Sequence, residues 1–121
     1  MSTVNYSLTS RHDFPNFVSP IFGETISNEV LVNPARLENE AYTRLLFKLN
    51  ADGIIIPSGW DWNETEKDII DSDAKIRIYA SGLTVALIAV LNAIRRLLPN
   101  NPVEVMHFNR ETGEYYSQIV R

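Results

Sequence analysis

The stretch DAKIRIYASGLTVALIAVLNAIRRLL, residues 73–98, decides how this chain folds. Ile76, Ala80, Leu83, Leu87, Val90, Ile94 and Leu97 recur at alternating steps of four and three. That is the spacing of an α-helix meeting another surface along its length. From Leu83 to Leu91 apolar residues spread onto the other faces as well, so this helix needs cover on most sides. Gly82 costs about 1 kcal/mol relative to Ala inside a helix. It marks an alternative start at Ser81, with Ile76 to Tyr79 extended instead. The apolar spacing runs through Gly82 unbroken and favours one long helix, capped by Asp71 or Asp73.

The same stretch passes a membrane test. Ile78 to Ile94 carries no charge, but at ~1.5 Å per residue it spans roughly 26 Å, short of the ~30 Å hydrocarbon core. Ser81, Gly82, Thr84 and Asn92 dilute it further, so a buried or interfacial helix is expected rather than a membrane span.

On the C-terminal side, Pro99, Asn100, Asn101 and Pro102 end the helix. Val103 to Phe108 and Tyr115 to Val120 are β-type runs around Arg110-Glu111-Thr112-Gly113, the best hairpin signal in the chain. A turn centred there sets Phe108 opposite Tyr115 and His107 opposite Tyr116. Aromatic cross-strand pairs of this kind stabilise a hairpin by ~0.2–1 kcal/mol each.

On the N-terminal side, Asn63 and Glu66 fit a capping-box pattern for a short helix around Glu64 to Ile70. Ile54, Ile55 and Ile56, bounded by Gly53 and Pro57, read as a buried strand or extended connector. Asn33-Pro34 opens a confident helix, with Asn33 as cap and Pro34 where its missing N–H costs nothing. Leu37, Ala41, Leu45 and Leu49 line its core face, and Asn50, Asp52 and Gly53 stop it. Glu29 to Val32 reads as a short strand, and Val4, Tyr6 and Leu8 as another. Pro15 and Pro20 interrupt residues 1–27, and Phe14, Phe17, Ile21 and Phe22 pin that irregular segment to the body or to a neighbouring subunit.

Composition narrows the functional classes. The 121 residues are 45% hydrophobic and 21% charged, which fits one globular domain over residues 1–121. The absence of cysteine removes disulfides, thiolate nucleophiles and cysteine-based metal sites. It fits a reducing compartment, and with no secretory signal at the N-terminus the expected location is cytoplasmic. The net charge of −4 argues against a broad nucleic-acid footprint, and Arg95, Arg96 and Arg110 make only a weak case for one.

Chemistry-bearing residues are sparse. His12 and His107 lie far apart without metal-ligand spacing, even with Asp13 added, so no metal is expected. The acidic run from Asp61 to Asp73 lacks the spacing and central glycine of a calcium loop. No phosphate loop, dinucleotide fingerprint or nucleophile elbow is present, and no cofactor is expected. His107, Tyr116 and Glu104 form the one candidate acid–base group, in a pocket between sheet and helices. Trp60 and Trp62 would share one face of an extended segment and are candidate partner contacts. Arg95 and Arg96 complement the helix dipole and are candidates for a carboxylate partner.

The reading is therefore an α+β fold. A long central helix and two shorter ones pack on a small, mostly antiparallel sheet that ends in a C-terminal hairpin. Its leading function is a non-catalytic protein–protein interaction module: an inhibitor or immunity-type protein, an adaptor, or an assembly subunit. Such a module would self-associate as a dimer through Ile76, Leu83 and Leu87 of the helix, with Trp60, Trp62, Arg95 and Arg96 as further contacts. The alternative is a small enzyme using His107, Tyr116 and Glu104.

Overall fold

The computed structural model describes residues 2–11, 13–56 and 69–121. In order these residues form β1 (Thr3–Ser7), β2 (Ser19–Pro20), α1 (Asn28–Leu31), α2 (Pro34–Ala51), β3 (Ile55–Ile56), β4 (Ile69–Ile70), β5 (Lys75–Tyr79), α3 (Thr84–Leu97), β6 (Val103–Asn109) and β7 (Glu114–Ile119). The fold is α+β, and the C-terminal hairpin forms as its sequence implies. Trp60, Trp62 and the proposed start of the short helix at Glu64 lie outside the described residues, as does His12. Ile69 and Ile70, the end of that helix in the sequence reading, form an extended ladder with Ile55 and Ile56 instead.

The stretch 73–98 splits in two, and the single long helix is corrected to a strand, a loop and a helix. Lys75-Ile76-Arg77-Ile78-Tyr79 alternates polar and apolar with period two, and Ile76 and Ile78 are fully buried on one face. Gly82 then takes φ +83°, a left-handed conformation no helix interior tolerates. The helix starts only at Thr84. Ile76 and Ala80 matched the helical spacing because a strand residue and a loop residue fell on it by chance. The longest helix is α2, not the predicted central one.

The main sheet has the order β2-β1-β5-β6-β7. The expected mostly antiparallel sheet is corrected to a mixed one: β1 runs parallel to β2 and β5, and β5 parallel to β6. Within this sheet β6 and β7 pair antiparallel, in the register that sets His107 opposite Tyr116 and Phe108 opposite Tyr115. Parallel neighbours need crossover connections: α1 and α2 lie between β1 and β5, α3 lies between β5 and β6, and residues 8–18, with no helix among the described ones, join β1 to β2. The other expected strand, Glu29 to Val32, is corrected to the short helix α1, whose Val30 anchors into the core.

Helices α2 and α3 pack on one another and against one face of the sheet. Leu37, Ala41, Leu45 and Leu49 of α2 meet Ala86, Val90, Ala93 and Ile94 of α3 in one core with Tyr6, Ile76, Ile78 and Val103. Asn33 caps α2 as its sequence implies, its Oδ1 accepting from the Arg36 amide at 3.2 Å. Tyr6 links β1 to the far end of α2 by donating to Asp52 Oδ2 at 2.6 Å. Burial and that bond together push its phenol far above the tyrosine range. Asp71 turns the chain instead of capping α3: its Oδ1 accepts from the Asp73 amide. Among the described residues no helix is long and apolar enough to cross a membrane.

Candidate functional site

Strand β5 stops at Tyr79, while the β6–β7 hairpin beside it runs on through His107, Phe108 and Asn109 to the turn. The mismatch opens a cleft of about 520 Å³ beyond the carboxyl end of β5. Its floor is the Ala80-Ser81-Gly82 loop, one wall is His107, Phe108, Tyr115 and Tyr116, and Asp13, Phe14 and Arg110 close the rim. A smaller cavity of about 210 Å³ shares Ala80, Ser81, Gly82 and His107 and reaches toward Leu83 and Leu87 under α3. In parallel α/β layers, ligands sit outside the carboxyl ends of the strands, because loops and helix starts converge there.

The wall is held by ring contacts. His107 stacks on Tyr116 with ring centroids 5.3 Å apart, and its Nε2 lies 2.8 Å from Gln118 Oε1. On the other side of the hairpin, Tyr115 meets Phe108 at 5.2 Å and Tyr79 edge-on at 5.0 Å. Phe14 and Phe17 also approach Tyr79 edge-on, which ties the segment after β1 to this end of the sheet. Burial raises the Tyr79 phenol above its ordinary value, against the lowering effect of the Arg77 charge.

Two oxygens at this end of the sheet have no partner among the described residues: Ser81 Oγ and Thr9 Oγ1 are both closed to solvent and make no hydrogen bond there. Thr9 and Ser81 each lie two residues beyond the paired Ser7 and Tyr79 of β1 and β5. An unpaired buried hydroxyl costs about 1–3 kcal/mol. Helix α3 begins nearby at Thr84, and its N-cap residue, Leu83, supplies no side-chain hydrogen bond to the first amides.

Of the sequence candidates, His107 and Tyr116 come together in the wall. Glu104 does not join them. Period-two alternation puts it on the opposite face of β6, where Glu104 Oε1 takes Lys75 Nζ at 2.9 Å and Oε2 takes Arg77 Nε at 3.0 Å. Ile76 is a core residue of the middle strand, fully buried between β1 and β6. Leu83 and Leu87 are half-buried beside the core and border the smaller cavity. Arg96 is engaged within the chain, bonding Glu38 at 3.4 Å and lying over the Tyr42 ring at 4.5 Å. Arg95 is exposed and borders a separate groove with Leu91, Val103, Val120 and Arg121. The sequence reading offers Asp13 only to a metal, Arg110 only to nucleic acid and Phe14 only to packing, and it misses Ser81 as a site residue. They come from three separated segments, and only the topology joins them.

The Glu104 cluster yields a pH prediction. The hydrogen bond from Lys75, aided by Arg77 and opposed by burial, holds the Glu104 carboxyl below its ordinary value. A folded value below the unfolded one stabilises the protein fully above the unfolded pKa, near 4.3, and the gain is lost as pH falls through the lowered folded value. Glu104→Gln is therefore expected to cost about 1–2 kcal/mol at neutral pH, the two cations being part-exposed. The gap to the parent should close in acid, as read from urea unfolding at a series of pH values. A gap that persists unchanged at low pH would contradict the assignment.

No protein-family model, curated protein or solved structure matches this chain.

Proposed function

We propose that this chain is a small-molecule-binding domain whose ligand occupies the cleft beyond the carboxyl end of β5. The observation that carries the reading is the cleft itself, about 520 Å³ and lined by Tyr116, His107, Arg110 and the Ser81-Gly82 loop. Its size falls within the roughly 300–1,000 Å³ of small-ligand sites, and its mix of aromatic wall and few polar groups is their usual lining. His107 and Tyr116 act here as binding groups, and with Glu104 paired to Lys75 and Arg77 on the other face no acid–base triad is assigned.

The test is a melting-temperature screen of the full chain against a metabolite library. Ligands are expected whose stabilisation disappears in Ser81→Tyr, which fills the cleft, and survives in Ile119→Glu, at the far end of the hairpin. Circular dichroism checks that each variant is folded. Stabilisation that survives Ser81→Tyr, or a library without any stabilising compound, overturns the reading.

A second reading, self-association, rests on a different observation. Ile88 on the outer flank of α3 is 53% exposed and Ile119 on the edge strand β7 is 75% exposed. Val85 and Val120 add to these two apolar areas, and grouped apolar surface marks interaction sites. Light scattering at high concentration should give a dimer mass that Ile88→Glu or Ile119→Glu abolishes. A monomer mass throughout removes it.

A further inference from the structure

Resting on the cleft reading, we propose that the ligand is a nucleoside phosphate, its base stacked on the hairpin aromatics and its phosphate held by Arg110. Three properties of the cleft point to this class. The first is the wall. Tyr116 is 55% exposed beside the cleft, and Phe108, on the opposite face of the hairpin, is 50% exposed, so the wall presents aromatic surface to a planar group. Stacking on such rings accepts any base, because every base has a π-face.

The second is the charge. Arg110 borders the cleft and makes no ion pair or hydrogen bond among the described residues. Its planar fork matches phosphate oxygens in pairs. On the floor, the loop through Gly82 leads into the start of α3, where no side chain caps the first amides. Such amides favour an anion; Leu83 and Thr84 line the adjoining smaller cavity, which shares Ser81 with the cleft, and Ser81 Oγ makes no hydrogen bond among the described residues.

The third is the carboxylate. Asp13 borders the same cleft and forms no salt bridge with Arg110. Beside a simple dianion it would only repel. Beside a nucleotide it has a use, accepting from ribose hydroxyls while Arg110 takes the phosphate. Stacking ring, hydroxyl acceptor and cation together describe a nucleotide better than an inorganic anion or a neutral aromatic compound.

The test is calorimetric titration of the full chain with AMP, GMP, CMP and UMP, with the four matching nucleosides and with inorganic phosphate. At least one monophosphate is expected to bind ten-fold or more tightly than its nucleoside and than phosphate alone. Arg110→Gln, an exposed turn substitution, should erase that ten-fold advantage and leave nucleoside binding unchanged. Nucleosides binding as well as nucleotides, or Arg110→Gln leaving nucleotide affinity intact, overturns the inference. If no nucleotide binds while another metabolite stabilises the parent and not Ser81→Tyr, the nucleotide inference fails and the cleft reading stands. If neither occurs, both fail.

Discussion

Ile78→Ala is expected to destabilise the protein by about 3–4 kcal/mol, while Arg77→Ala next to it costs about 1 kcal/mol or less. Ile78 sits in the middle strand with Tyr6 level with it on β1 and Val105 on β6, and none of its surface reaches solvent. Truncation removes buried methyl groups and leaves a cavity that strands paired on both sides cannot close. Arg77 points to the other face, and its loss leaves Glu104 still paired with Lys75. Denaturant unfolding of the two variants reads the contrast directly. A large loss at 77, or a small one at 78, contradicts the strand assignment for the start of the deciding stretch.

Asn101→Ala is expected to cost about 2–3 kcal/mol, more than its size suggests. Asn101 is 1% exposed, and its single Nδ2 donates to Asp71 O at 2.8 Å and to Ala74 O at 2.9 Å. It thereby fixes the turn that feeds β5 to the turn that feeds β6. Alanine takes this donor from the buried Ala74 carbonyl and leaves the Asp71 carbonyl with the Ala74 amide at 3.2 Å. Asn101→Asp keeps the shape but supplies no donor at neutral pH, and is expected to lose at least as much. Equal stability of Asn101→Asp and the parent, from thermal or urea unfolding, would show that shape rather than hydrogen bonding is what matters at this position.

The sequence was legible where one local signal stood alone. The Asn33-Pro34 start of α2 and its four-residue apolar stripe left one reading, and so did the hairpin. There, Gly113 takes the left-handed φ of +73° that the turn requires, and the aromatic pairs fall in the expected register. It misled where two periods overlapped. Five residues of strand and a glycine loop lay directly before a strongly apolar helix, and the helical spacing absorbed Ile76 and Ala80. Reading β5 as helix hid a parallel neighbour of both β1 and β6, which is why the sheet was expected to be mostly antiparallel. The site suffered in the same way. His107 and Tyr116 were legible as a pair because the hairpin is local. Arg110, Ser81 and Asp13 needed the parallel topology to bring three loops to one end of the sheet.

The most direct measurement of the central claim is crystallographic fragment soaking of the unmodified chain with small planar and anionic compounds. The account predicts that bound fragments cluster between the Ala80–Gly82 loop and the rings of Phe108, Tyr115 and Tyr116, with anionic groups turned toward Arg110. Fragments gathered on the outer flank of α3 or along β7, with the cleft empty, would contradict it.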